Sequence, residues 1–135
     1  MAPPLAPVHL TTLSSVVTPL QTTTLTVLAT YALFALFVSL TAFLAARNVL
    51  GDVPKAPALV VGPPLAAIAF LAATFEFNAF LALGLALAVD FGLLGYLYGV
   101  RGKLAAYVTL IHFVLSVLLG AILFGIVVLL ASAPG

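Results

Sequence analysis

Apolar residues run almost unbroken through four stretches of this chain, at about residues 25–46, 58–75, 79–100 and 104–131, with short polar knots between them. None shows the two-residue alternation of a half-buried strand; the runs are continuous and rich in Leu and Ala. A β-barrel needs tracts of about ten residues alternating apolar and polar, so the barrel is excluded and the pattern predicts helices. At 1.5 Å per residue, about 22 residues reach roughly 33 Å, enough for a hydrocarbon core of about 30 Å. The expected fold is therefore all-α, an integral membrane four-helix transmembrane bundle. Glu76-Phe77-Asn78 and Arg101-Gly102-Lys103 are connections of only a few residues. Turns that tight make the helices they join neighbours, which predicts antiparallel, up-down topology.

Residues 24–135 carry the four spans, and residues 1–23 are a Pro/Ser/Thr-rich segment of different character. Leu10, Leu13, Val17 and Leu20 recur there at helical spacing. They suit a short interfacial helix ended near Pro19, the alternative being a disordered apolar tail. His9 reads as a solvated side chain. Between the first two spans, Arg47 to Pro57 reads as a loop, with Asp52 at its turn.

Each span breaks its apolar pattern somewhere. Thr26, Thr30 and Thr41 share one stripe of the first, and intramembrane Thr bonds to its own helix or a neighbour; a packing face is expected. The second holds Gly62-Pro63-Pro64. Two adjacent prolines remove two donors and crowd the preceding turn, so the helix is expected to start at Pro63 or to kink there. In the third, Gly84, Ala88, Gly92, Gly95 and Gly99 fall in one narrow sector, a candidate helix-packing face. Asp90 lies almost opposite, among Leu83, Leu87, Leu94 and Leu97. The fourth puts Thr109, His112, Ser116 and Gly120 on one stripe.

Composition settles the solvent. Of 135 residues, 65% are hydrophobic and 5% charged, against about 25% charged in a soluble domain. So few charges cannot cover a water-facing surface, and lipid must be the main partner. A formal net charge of +1 gives no footprint for nucleic acid. With no Cys there is no disulfide or thiolate chemistry. The amino terminus lacks a basic n-region, so the first span is expected to be retained. Arg47 and Lys55 flank one connection and Arg101 and Lys103 another. The positive-inside rule then predicts that loops 47–57 and 101–103 are cytoplasmic and both termini outside, in the cell membrane.

Candidate chemistry reduces to Asp90 and His112. If the last two spans fold back about Gly102, these residues sit at similar depth. An Asp at mid-span costs about 2.5–3.5 kcal/mol, which the leucines and phenylalanines of that span offset. It must still find a partner or a proton. Burial disfavours both carboxylate and imidazolium, so an adjacent pair is the minimum equipment of a proton relay. The alternative is polar glue between helices, with His112 bonded to Ser116 or Thr109. Pairing requires the Asp90 side of the third span, not its glycines, to face the fourth. No phosphate loop, nucleophile elbow or metal-ligand spacing is present. No enzyme, catalytic residue, cofactor or metal site is expected.

Val61-Gly62-Pro63-Pro64-Leu65-Ala66-Ala67 and the segment Ile111-His112 to Gly120 resemble small uncharacterised four-span membrane proteins of halophilic archaea. The resemblance covers the last three spans and implies no known activity. The size also invites comparison with small multidrug transporters, whose essential acid lies in the first span; here that span has none. The expected function is a non-enzymatic membrane subunit or assembly factor that forms a homo-oligomer or joins a larger membrane complex. The alternative is a small oligomeric proton-linked transporter or channel using Asp90 and His112.

Overall fold

The structure, a computed structural model, describes residues 5–134, with side chains from residue 23 onward. The interfacial helix expected before residue 23, and His9 with it, lie outside the residues whose side chains are described. Four helices follow one another: α1 (Leu5–Leu50), α2 (Ala56–Thr74), α3 (Ala79–Tyr98) and α4 (Gly102–Ser132). All four contain a stretch long and apolar enough to cross a membrane, in α1 the part Thr23–Leu50. Among the described residues there is no strand.

Several boundaries differ from the sequence reading for local physical reasons. Arg47 belongs to the last turn of α1, where a basic side chain complements the helix dipole, so the loop shrinks to a turn around Gly51. There φ is +90°, a left-handed conformation natural to glycine. The start of α2 is Ala56, not Pro63. Pro57 occupies its first turn, where a missing N–H costs nothing, and Pro63 and Pro64 lie inside the helix. In α3 the first turn is capped by Asn78, whose Oδ1 accepts from the Phe80 N–H at 2.9 Å. Gly99 ends that helix at φ +67°, and the Val100 N–H reaches back to the Gly95 carbonyl at 2.9 Å.

In space α1 packs on α2 and α4, and α3 packs on the same two. The centre is built from small side chains: Ala42, Ala45 and Ala46 of α1 and Ala58, Val61 and Ala66 of α2, with Leu94 of α3 and Val108 of α4 closing it. The closest approach is at Gly62. A methyl group there would overlap the Ala35 carbonyl oxygen and the Ser39 hydroxyl, so the backbones of α1 and α2 touch. Outside this centre the large side chains point away: Leu33, Phe80, Leu81, Phe124 and Leu130 are all more than two-thirds exposed. Apolar surface on that scale is stable only against hydrocarbon.

The predicted glycine face of α3 does not pack on a neighbouring helix. Gly84, Ala88, Gly92 and Gly99 are exposed, and a Cβ at Gly84, Gly92 or Gly99 would meet nothing within 4 Å. Gly95 alone lies close to other groups, the Val100 carbonyl and Ala105. The reason is the carboxylate opposite: burying Asp90 turns the glycines outward.

Candidate functional site

Among the described residues five polar ones are buried inside the bundle, Ser39 and Thr41 on α1, Asp90 on α3, Thr109 and His112 on α4. Each of the three helices delivers its polar group through helical spacing. Asp90 sits one turn from the buried Leu94, and His112 one turn from Val108. His112 is thereby fixed at the meeting point of α1, α3 and α4.

Its ring bridges all three helices. Nδ1 lies 2.7 Å from Asp90 Oδ2. Nε2 lies 3.0 Å from Thr41 Oγ1 and 3.2 Å from the Val38 carbonyl oxygen. Thr41 donates its own proton to the Val38 carbonyl at 2.9 Å and accepts from the Ser116 hydroxyl at 3.0 Å. Asp90 and His112 are therefore in contact, which the sequence left open, and the Asp90 side of α3 faces α4. The imidazole's further partner is Thr41, neither Ser116 nor Thr109 bonding the ring directly; Thr109 instead turns back to the Ala105 carbonyl of its own helix at 2.9 Å. Of the threonine stripe on α1, only Thr41 is buried, while Thr26 and Thr30 are exposed.

Hydrogen-bond roles fix the protons. A carbonyl oxygen only accepts, and the Thr41 proton is already committed to carbonyls of its own helix, so Nε2 is the donor. With Nε2 protonated, Nδ1 and Asp90 Oδ2 share one further proton. It lies either on the carboxyl, giving a neutral acid beside a neutral imidazole, or on the ring, giving an ion pair. Both placements leave the cluster neutral overall, as an apolar surrounding demands. The removal of that proton would leave a net negative charge among hydrocarbon side chains.

The order hydroxyl, imidazole, carboxylate also occurs in nucleophilic catalysis. Here Thr41 is wholly buried, and its hydroxyl is tied to helix carbonyls at 2.9 and 3.2 Å. The chain of bonds runs from α3 through α4 to α1, and so it ties three helices together.

Sequence reasoning missed Gly62 as a contact residue and Thr41 as the imidazole's partner. The first had a signal: Ala58, Gly62 and Ala66 recur every four residues, the spacing of small-residue helix contacts. The second had none, because Thr41 and His112 are far apart in sequence.

With its large apolar side chains turned outward around this cluster, the molecule is a small multi-pass membrane protein. It belongs to the family of unknown function DUF7473, whose model matches residues 21–134. No curated protein and no solved structure matches it.

Proposed function

We propose that this chain is a non-enzymatic membrane subunit or assembly factor that self-associates or docks to a larger membrane complex through the glycine face of α3. One observation carries the reading: Gly84, Gly92 and Gly99 have open space where a Cβ would stand. Small residues drive helix association in lipid by letting backbones approach, and among the described residues nothing stands against Gly84, Gly92 or Gly99. The Asp90–His112 pair then serves as the clasp that holds α1, α3 and α4 in the geometry presenting that face.

The up-down topology fits the order of contacts. Gly120 lies near Phe37 while His112 bonds Thr41, an order that supports the antiparallel reading of α1 and α4. In the proposed orientation Arg47, Lys55, Arg101 and Lys103 lie on the cytoplasmic side with both termini outside. The cysteine-free sequence allows single cysteines at Lys55, Glu76 and Lys103 to be labelled from either face. Lys55 and Lys103 should react from the same side and Glu76 from the other; any different pattern overturns the topology.

The docking reading is tested by Gly92→Leu in mild detergent. The variant should lose a co-purifying partner or its dimer band while keeping its fold. Unchanged association would overturn it. A second reading, a proton-linked transporter or channel, is favoured by the 2.7 Å Asp90–His112 contact. Asp90→Asn would then abolish flux in proteoliposomes without unfolding the bundle, whereas the subunit reading expects association to survive that change.

A further inference from the structure

All four Lys and Arg side chains stand beside two of the three connections between helices. Arg47 and Lys55 flank the turn between α1 and α2, and Arg101 and Lys103 the turn between α3 and α4. The two turns meet at one end of the bundle. Just before the second, the Tyr98 hydroxyl lies beside the backbone of Ala58, just after the first. All four cations are exposed. Among the described residues none is held by an acid, the one ion pair being Asp90–His112. Asp52 is the single acidic side chain of these turns, and Glu76 belongs to the remaining one.

Four cations against one carboxylate make a strongly positive surface, and its depth says what meets it. The 19 residues of α2 rise roughly 28 Å, close to the hydrocarbon thickness of about 30 Å. Lys55, directly before that helix, therefore stands at the hydrocarbon boundary. With 20 residues α3 is about as long, and Arg101 follows shortly after it. Tyr96 and Tyr107 bracket this second turn at 85% and 57% exposed, rings of the kind that settle at headgroup level. Both turns are short, residues 51–55 and 99–101, and present no projecting loop to a soluble macromolecule. Lys and Arg stems lie along apolar surface while their charged ends stay among headgroups.

We propose that this end of the bundle binds acidic phospholipids, its four cations pairing with their phosphate groups. A zwitterionic headgroup offsets that attraction with its own ammonium. The surface is distinct from the glycine face of α3, and its test does not depend on the subunit reading.

The experiment places the full chain in phosphatidylcholine vesicles carrying a trace of spin-labelled phosphatidylglycerol or spin-labelled phosphatidylcholine. Both leaflets have the same composition, so the direction of insertion does not matter. The motionally restricted fraction of each label should show phosphatidylglycerol favoured about five-fold, the equivalent of one basic residue near the surface. In about 1 M sodium chloride, where charges are screened beyond about 3 Å, the preference should approach unity. Arg101→Gln with Lys103→Gln should lower it, as should Arg47→Gln with Lys55→Gln; should either pair misfold, the other still decides. Glu76→Gln should leave it unchanged, and a change there would mean that the charge of the whole chain sets the preference, which overturns the proposal. Equal restriction of the two labels by the unaltered chain overturns it too. So does a preference that survives salt and both double variants, which means acyl-chain contacts alone. Sodium phosphate or a polyglutamate peptide, at matched ionic strength, should displace no more label than sodium chloride does. Greater displacement by either overturns the lipid assignment in favour of a free anion or an acidic protein.

Discussion

The same four-residue spacing of small side chains occurs on two helices, with opposite outcomes. On α2, Ala58, Gly62 and Ala66 are buried against α1, and at Gly62 there is no room for a methyl group. On α3, Gly84, Ala88 and Gly92 face outward into open space. Spacing alone cannot separate these cases, because both rows permit close approach. What separates them is the other side of each helix. Behind Gly62 lie Val60 and Leu71, both exposed and content in lipid. Behind the α3 row lies Asp90, which cannot face lipid and takes the interior for itself. A buried carboxyl group outranks a stripe of glycines in setting a helix's rotation.

The largest effect should follow from filling the α2 row. Gly62→Leu places a branched side chain where the Ala35 carbonyl and Ser39 Oγ stand. The opposing group is backbone, which cannot move aside, so the loss should exceed about 3 kcal/mol, the upper range for overpacking. Unfolding in a denaturing detergent measures it. A loss no greater than that of Gly92→Leu would erase the distinction between the two rows.

Next comes the clasp that holds α3 in its rotation. His112→Leu leaves both Asp90 oxygens unpartnered and cuts Thr41 off from α3, while the Ser116–Thr41 bond still joins α4 to α1. Stranding a buried polar group costs about 1–3 kcal/mol. With Asp90 no longer anchored, α3 should also become free to turn, so a cysteine at Gly92 should lose part of its accessibility to lipid-phase reagents. An unchanged accessibility would mean that packing at Leu94, not the carboxylate, sets the rotation.

The four spans were legible because length and continuity of apolar runs are local properties. So was the depth match of Asp90 with His112, since a tight turn about Gly102 fixes the register of the helices it joins. The rotation of α3 was not legible: glycines and carboxyl group offered two rival faces, and only packing against α2 and α4 decides between them. At Gly62 the adjacent Pro63 and Pro64 drew the reading toward a break. Once α2 begins at Ala56 with Pro57 in its first turn, the helix carries both prolines and the glycine is left for contact. The site's alcohol-shaped partner group, Thr41, lay in a stripe whose other members, Thr26 and Thr30, stay outside, so the stripe itself was no guide.

A smaller effect on the monomer is expected from Gly92→Leu. Nothing lies within 4 Å of a Cβ there, so stability should change by no more than about 0.5 kcal/mol. Any loss of self-association in cross-linking at unchanged stability would then belong to the outward face alone, which sharpens the contrast with Gly62.

A last effect concerns glycine used for conformation instead of space. Gly99, at the end of the α3 row, has φ +67° and closes its helix through the Val100 N–H. The end of α2 makes the same closure, the Phe77 N–H reaching the Ala72 carbonyl at 3.0 Å, but with Glu76 at φ +53°. A left-handed residue with a side chain costs roughly 1 kcal/mol over glycine, partly offset by the greater freedom of glycine in the unfolded chain. Glu76→Gly should therefore stabilise the bundle by a few tenths of a kcal/mol, and Gly99→Ala should destabilise it by somewhat less than about 1 kcal/mol. If both changes were neutral in a detergent melt, Gly99 would belong with Gly84 and Gly92, as a residue kept small for something outside the chain.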